Sequence, residues 1–312
     1  MDGQSIIKKV LNLILNEFKE NSDLLFKIIG ITFICAILKN LQNSYGGNVS
    51  EIAFFVCYML IIVLIVSTFS NISSICIKSV NKLNNFMELI IPVLITLLVA
   101  MGSISTATIL QPVILGMISI ISILISNLVI PIVMISTILN LISNISSQVN
   151  VDKISSFLKK SVMYLLEFSM IVFVGLLSLE GSLAAGVDGM TSKITKTVIS
   201  NAVPVVGKLI SDTADSVIGG VNITKNAVGV IGILIILVVT ISPIIKSFIL
   251  MMLFNLTSAI CDSIADSRIS KCMSATADSM KLIFGIMIMI SFLFIIAITM
   301  MIKMSNFSLI YK

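Results

Sequence analysis

The sequence predicts an all-α protein embedded in a membrane, and three observations lead to this prediction. Residues 89–151 form a run of 63 residues without one Asp, Glu, Lys, Arg or His. As a helix rising 1.5 Å per residue, this run would be roughly 95 Å long, about three times the ~30 Å hydrocarbon core of a bilayer. Hydrophobic residues make up 57% of the chain and charged residues 11%, whereas soluble domains carry about 25% charged residues. Because lipid offers no partner to open backbone groups, such runs form helices.

The amino-terminal stretch, residues 1–20, predicts an amphipathic helix and shows no cleavable signal peptide. Apolar residues recur at helical spacing on one face, whereas Lys8, Lys9 and Glu17 lie off that face. We expect an interfacial helix that leads into the first membrane span.

Eight further apolar segments are each predicted to cross the bilayer. They are residues 24–38, 52–69, 109–126, 128–145, 162–179, 227–241, 243–260 and 282–302. A ninth apolar segment, residues 86–101, contains Glu88 and Pro92. Since Pro92 interrupts it, we expect this segment to enter the membrane and return on the same side.

The positions of the loop lysines support this count, because short cytoplasmic loops gather Lys and Arg. If Lys78, Lys82 and the lysines at 153–160 are all cytoplasmic, an even number of crossings separates them, and segment 86–101 does not cross. The remaining loops then follow by alternation. Segments 181–226 and 261–280 lie outside, and the carboxyl-terminal tail, residues 303–312, lies inside.

An internal repeat is indicated by the prolines. Pro92 and Pro204 are 112 residues apart, and so are Pro131 and Pro243. The order of segments matches as well, which predicts a duplication over residues 50–162 and 162–274. Residues 1–50 precede the two copies, and residues 275–312 form a final span and tail.

The second copy carries the counterpart of segment 86–101 at residues 199–212, which are too polar to cross alone. With three spans in each copy, consecutive copies face opposite ways, as in the inverted repeats of many transporters. The sequence therefore predicts an inverted repeat with two proline-broken re-entrant segments.

Several kinds of site are disfavoured by the composition. The net charge of +5 comes from lysines spread along the chain, so no basic patch for nucleic acid is formed. The chain has no His, and its five Cys show no metal-ligand spacing, so we expect no metal site. We interpret these cysteines as small apolar residues.

Two acidic residues in apolar segments are candidates for a polar pathway, because a charged group near the bilayer centre costs about 2.5–3.5 kcal/mol. They are Glu88, at the mouth of the first proline segment with Pro92, and Glu167, in the span that begins near residue 162. The alternative is that each reaches the membrane interface, in the case of Glu167 toward Lys160 or Tyr164.

A second candidate patch surrounds the other proline segment, where a broken helix can present polar groups to a pathway or a partner. Its residues are Asn201, Pro204, Gly207, Lys208 and Asp212. The alternative is an exposed extracytoplasmic loop on a short amphipathic helix.

Several short motifs resemble one known family. Residues 175–181 read Gly-Leu-Leu-Ser-Leu-Glu-Gly, residues 201–208 read Asn-Ala-Val-Pro-Val-Val-Gly-Lys, and residues 225–230 read Lys-Asn-Ala-Val-Gly-Val. With Ser211 and Asp212 between the last two, this order resembles the stage III sporulation protein AE family of endospore-forming bacteria. Family members generally begin with a cleavable or signal-like segment, so we expect the amino-terminal boundary to differ here.

The resemblance implies an integral protein of the mother-cell membrane around the forespore. It implies a role in the channel, or feeding apparatus, that joins the two cells and sustains late forespore gene expression. The implied partners are the other stage III A proteins, including the cytoplasmic ATPase, and through them forespore protein Q. The resemblance implies no enzymatic activity and no cofactor. A self-sufficient secondary transporter of a small solute, using an acid such as Glu167, is the alternative.

Overall fold

Helix is the only regular secondary structure in the part of the chain that the structure describes. This computed structural model describes the backbone of residues 3–45, 48–143, 151–202, 206–264 and 267–310. The helices are α1 (Gly3–Tyr45), α2 (Asn48–Ala100), α3 (Ile104–Leu124), a π-helical turn (Ile125–Val129), α4 (Ile130–Ser143), α5 (Asp152–Ala202), α6 (Val206–Ile264) and α7 (Ser267–Ile310).

Five helical stretches within the described residues are long and apolar enough to cross a membrane. They are Phe55–Ala100, Ala107–Ser143, Asp152–Ser178, Ser216–Ser263 and Ser267–Lys303, with mean hydropathies of 1.9 to 2.9. The all-α, membrane-protein class is thus consistent with the structure. The count of eight crossings is not confirmed, because segments that were predicted as separate lie together in one continuous helix. Segments 52–69 and 86–101 both lie in α2, and segments 227–241 and 243–260 both lie in α6.

These segments are joined because helices α2 and α6 each continue through a proline. Pro92 lies inside α2 and Pro243 inside α6. Four residues further on, a hydroxyl donates to each proline carbonyl, from Thr96 Oγ1 at 2.9 Å and from Ser247 Oγ at 2.8 Å. Each proline removes only one intrahelical donor. The predicted break at Pro92 does not occur, and the re-entrant path of segment 86–101 is not confirmed.

Pro131 has a different effect on its helix. The five residues Ile125–Val129, just before it, form a π-helical turn between α3 and α4. The wider turn gives room to the proline ring, which would otherwise meet the carbonyl four residues earlier. Residues 104–143 therefore remain helical throughout, and segments 109–126 and 128–145 are joined at this turn.

Helix α2 ends at a glycine, which separates it from α3. Gly102 has a φ of 85°, a left-handed conformation that a residue with a Cβ rarely adopts. Its N–H donates to the Val99 carbonyl at 2.9 Å, and the Ser103 N–H donates to the Leu98 carbonyl at 3.1 Å. This pair of bonds is a Schellman cap, which closes the end of α2.

The residues group into two compact units. Unit 1 comprises Met1–Ser79, Ile125–Leu165 and Thr240–Ile288, and unit 2 comprises Val80–Leu124, Leu166–Val239 and Met289–Lys312. Each predicted repeat copy contributes residues to both units.

In unit 1, α1 and α6 lie side by side and run in the same direction. Glu17 Oε2 is 3.3 Å from Lys246 Nζ, and Cys261 Sγ donates to Thr32 Oγ1 at 3.5 Å. Both pairs are 229 residues apart in sequence, so the two helices keep a constant register over about four turns. Between these contacts Leu25 packs with apolar residues of α6, namely Ile245, Ile249 and Leu253.

Serine pairs join consecutive helices of unit 1. Ser136 Oγ in α4 donates to the Ser155 carbonyl in α5 at 2.9 Å, and Ser155 Oγ donates to the Ser136 carbonyl at 2.8 Å. Ser258 in α6 and Ser270 in α7 exchange the same two bonds, at 2.9 and 3.2 Å. Such small side chains let helix backbones approach closely in membrane proteins.

The proline-started helices of the two repeat copies end near each other in unit 1. Leu141, in the last turn of α4, has its carbonyl 3.4 Å from the Tyr58 hydroxyl. Cys272, which is hydrogen-bonded to Tyr58, is also close to Cys261 in the last turn of α6. The last turns of α4 and of α6 therefore both lie near Tyr58. An inverted repeat needs opposite senses, so the inversion is not confirmed.

Two lysine contacts disagree with the membrane faces assigned from the loop lysines. Lys159 Nζ in unit 1 donates to the Ala275 carbonyl at 3.3 Å, although residues 153–160 and 261–280 were assigned to opposite faces. Lys225 Nζ in unit 2 donates to the Ile302 carbonyl at 2.8 Å, although the segment ending at 226 and the tail from 303 were also assigned to opposite faces. Both ammonium groups donate to main-chain carbonyls of α7, so their positions follow contacts within the protein and give no information about the cytoplasmic side.

We therefore expect residues 153 and 274 to face the same side of the membrane. Both positions are exposed, so Lys153→Cys and Ser274→Cys are suitable probes. The background is Cys57→Ser, because the other four native thiols are buried. A charged, membrane-impermeant maleimide added to sealed, oriented vesicles should label both variants or neither. Labelling of one from each side would instead support the assignment from the loop lysines.

Candidate functional site

The two acidic candidates lie on the surface of their units. Glu88 is exposed on α2, and Asn84 Nδ2 donates to its Oε1 at 2.7 Å. Glu167 is exposed on α5 between Tyr164 and Phe168, each 68% exposed. Tyrosine is enriched at the membrane interface, and Tyr164 lies three residues before Glu167. This placement favours the interfacial alternative for Glu167. Pro92 is half-buried within α2, four residues after Glu88.

The second candidate patch is described only through its backbone. Asn201 lies in the last turn of α5, and Gly207, Lys208 and Asp212 lie in the first turns of α6. Pro204 and the side chains of the other four fall outside the described part of the structure. The role predicted for this patch therefore stays a prediction.

A polar network that the sequence analysis did not single out links α1 to α6 in unit 1. Lys246 is the one charged residue between Lys225 and Asp262 in the sequence. Its ammonium is 3.3 Å from Glu17 Oε2, and the two side chains are 17% and 18% exposed. Asn21 Nδ2 donates to the Glu17 carbonyl at 2.7 Å and to Glu17 Oε2 at 3.3 Å. We call Glu17, Asn21 and Lys246 the polar network.

The polar network holds two opposite charges on side chains that are mostly shielded from solvent. Taking each charge out of water costs several kcal/mol, so neither side chain is stable here without the other. The pair fixes the register of α1 against α6 at one end of their contact. The network orients α1 against α6, and Asn21 leaves the second carboxylate oxygen of Glu17 to other donors.

Buried lysines elsewhere use main-chain carbonyls as acceptors. The Lys225 side chain is 0% exposed, and the bond to the Ile302 carbonyl joins α6 to α7 in unit 2. Gly229, one turn further along α6, faces the Ile302 and Ile298 side chains.

The sequence carried weak signals for these contacts. A single charge in an apolar run indicates a buried partner, and Lys246 satisfies that description. Its partner lies 229 positions away, however, and no local spacing identifies it. Among the residues that the structure describes, no group of three or more His, Cys, Asp or Glu side chains is placed to hold a metal ion.

Comparison with known proteins gives a consistent family for the whole chain. The family model for stage III sporulation protein AE matches residues 1–305. Stage III sporulation protein AE of Bacillus subtilis (strain 168) is 28% identical over 310 residues, which cover 99% of this chain and 78% of that protein. No solved structure matches the chain. Since the family model covers nearly every residue, the chain belongs to the stage III sporulation protein AE family.

Proposed function

We propose that this protein is a membrane component of the channel that links the mother cell to the forespore during sporulation. Family membership implies a role in sporulation. The single observation that carries the proposal is the family match over residues 1–305, which includes all five apolar helices. A protein with these helices acts within a membrane, and the family assigns that membrane to a sporulating cell.

The proposal includes a location and partners. The location is the mother-cell membrane that surrounds the forespore. The partners are the other stage III A proteins, including the cytoplasmic ATPase, and indirectly forespore protein Q. The protein itself is proposed to have no enzymatic activity, so the energy for any transport comes from a partner.

The proposal does not depend on eight crossings or on an inverted repeat. It requires a helical membrane protein that assembles with partners, whichever way the two proline-started helices run. The alternative, a self-sufficient secondary transporter, relied on an enclosed acid such as Glu167. Because Glu167 is exposed on α5, the structure offers no specific support for this alternative.

Deletion of the protein in its sporulating host is expected to reduce the yield of heat-resistant spores by orders of magnitude. An affinity-tagged full-length chain should restore the yield and should co-purify with the other stage III A proteins from sporulating cells. A matched control is a tagged, unrelated multi-span protein expressed at the same stage. Normal sporulation without the chain, or solute uptake by the isolated chain in liposomes with no partner recovered, would contradict the proposal.

A further inference from the structure

The first turns of α5 and α7 lie side by side in unit 1. Lys159 Nζ on α5 donates to the Ala275 carbonyl on α7 at 3.3 Å. Helix α5 begins at Asp152 and α7 begins at Ser267, so each partner of this bond lies about two turns from the start of its helix. Both helices begin in unit 1 and continue into unit 2 further along the chain. The two helices therefore run in the same direction, with their amino-terminal ends at the same level.

Three lysines are exposed on the outer side of this helix pair. Lys153 and Lys160 are seven residues apart and share one face of α5, and Lys160 directly follows Lys159. Lys271 is one turn before Ala275 on α7. Because the buried faces of both helices point into the unit, the exposed residues of these neighbours form one outer surface. We call Lys153, Lys160 and Lys271 the basic surface.

The basic surface is compact enough to hold a single anionic group. The bond between Lys159 and Ala275 places Lys271 at the level of residue 155, between the two exposed lysines of α5. The three lysines thus lie within about 10 Å along the helix axes. A lysine ammonium is a mobile point charge on a flexible four-carbon stem, so the three side chains can converge on one anion.

Other charges near the basic surface occur in opposite pairs. Asp152 and Arg268 lie at the starts of the two helices, and Asp278 and Lys281 are exposed one turn apart on α7. Glu167 lies two turns beyond the nearest lysine of α5. Within the part of the chain that the structure describes, no ion pair joins the three lysines to an acid. The three lysines are therefore the unbalanced charges on the outer side of α5 and α7.

Both helices enter the membrane at the basic surface. The apolar stretches Asp152–Ser178 and Ser267–Lys303 begin with the turns that carry the lysines. These first turns lie at the level of the lipid headgroups, and lysine side chains extend toward that level. Next to the lysines, α5 exposes apolar side chains, among them Phe157 at 68%, Met163 at 47% and Tyr164 at 68%. Cations beside an exposed apolar face fit an anionic amphiphile, whereas an acidic protein segment uses only the charges.

We propose that the basic surface binds the phosphate headgroup of an anionic phospholipid, whose acyl chains lie along the exposed apolar face of α5. The lysine ammonium groups donate to the phosphate oxygens. Ser156 and Ser274 are exposed on the same side of the pair and supply hydroxyl donors beside the lysines. The bound lipid joins the start of α5 to the start of α7, next to the bond between Lys159 and Ala275.

The test measures lipid binding to the full-length chain in detergent by native mass spectrometry. The probes are dioleoyl-phosphatidylglycerol, which is anionic, and dioleoyl-phosphatidylcholine, which has the same acyl chains and no net charge. The wild-type chain should bind the anionic lipid at least about tenfold more tightly. The double variant Lys160→Gln with Lys271→Gln should bind it about 25-fold more weakly than wild type, because each lysine near an anionic lipid contributes about fivefold in affinity.

Lys78→Gln with Lys82→Gln is the matched control, since it removes two exposed lysines one turn apart on α2 and lowers the net charge equally. It should change the affinity for phosphatidylglycerol by less than about twofold. Lys160→Arg with Lys271→Arg keeps both charges and should keep the binding.

Equal binding of the two lipids by the wild-type chain overturns the proposal. So does an equal loss of affinity in the Lys160 and Lys271 double variant and in the α2 control, which would show attraction by net charge alone. Complete displacement of phosphatidylglycerol by millimolar inorganic phosphate would assign the surface to a free ion. Binding of a glutamate-rich peptide without binding of the anionic lipid would assign it to an acidic protein partner, and either result excludes the lipid site.

Discussion

Replacement of Lys246 by methionine is expected to destabilise the protein by about 2–4 kcal/mol, because it leaves the Glu17 carboxylate with too few partners. Methionine keeps most of the length and apolar volume of lysine, so the change removes mainly the ammonium. Glu17 is 18% exposed, and among the residues whose side chains the structure describes it would retain the bond from Asn21 Nδ2. Denaturant unfolding of the purified chain in detergent measures the loss, and the amount of protein in the membrane fraction should fall with it.

Lys27→Met is the matched control for this experiment. Lys27 forms an ion pair with Asp23 at 2.6 Å, but the two side chains are 59% and 69% exposed. Exposed pairs contribute roughly 0–1 kcal/mol, so this variant should unfold close to the wild type.

The double variant Glu17→Gln with Lys246→Met separates the pair from its surroundings. Glutamine is neutral and still accepts from Asn21, so the unpaired charge disappears. We expect the double variant to be more stable than Lys246→Met alone, with a coupling energy of about 1 kcal/mol or more. Equal stability of wild type and Lys246→Met, or simple additivity of the two changes, would show that the charges do not interact.

The same residues show how far the sequence alone predicts this fold. Composition and charge-free runs predict helices in lipid, because every backbone group must find its partner within the chain. The helix ends are harder to predict, since a proline does not always stop a helix. Pro92 and Pro243 are each followed four residues later by a hydroxyl that donates to the proline carbonyl. This hydroxyl does not replace the missing bond from the proline nitrogen to the carbonyl four residues earlier, so the pattern does not by itself predict that the helix continues.

The lysines show a limit of a different kind. Counting loop lysines assumes that each ammonium lies in water on the cytoplasmic side. Lys159 donates to a main-chain carbonyl of α7, so the assumption fails for this lysine. Lys225 donates to the Ile302 carbonyl, which joins two segments that alternation had placed on opposite faces. The partner of Lys246 could not be predicted, because contacts between distant helices depend on packing that no local pattern records.

Replacement of Gly229 by alanine is expected to destabilise the protein. Overpacking costs about 1–3 kcal/mol, and the higher helix propensity of alanine offsets up to about 1 kcal/mol of this cost. A Cβ at this position would lie 2.5 Å from Ile302 Cγ1 and would also meet Ile302 Cδ1. The isoleucine side chain would have to move, or α6 and α7 would have to separate. Separation would also lengthen the bond from Lys225 Nζ to the Ile302 carbonyl. Unfolding in detergent gives the change in stability.

Gly285→Ala, on α7, provides a control of opposite sign. A Cβ there meets no atom within 4 Å, so only the helix propensity changes, and the variant should be unchanged or more stable by up to about 1 kcal/mol. Ile302→Ala should partly rescue Gly229→Ala, because it removes the atoms that clash and keeps the carbonyl that Lys225 uses. Rescue would show that residue 227, where one apolar run begins, lies beside residue 302, where another ends. Both residues would then lie at the same face of the membrane, whereas the loop lysines alone assigned them to opposite faces. If Gly229→Ala stabilises the chain as Gly285→Ala does, the two helices do not approach at this point.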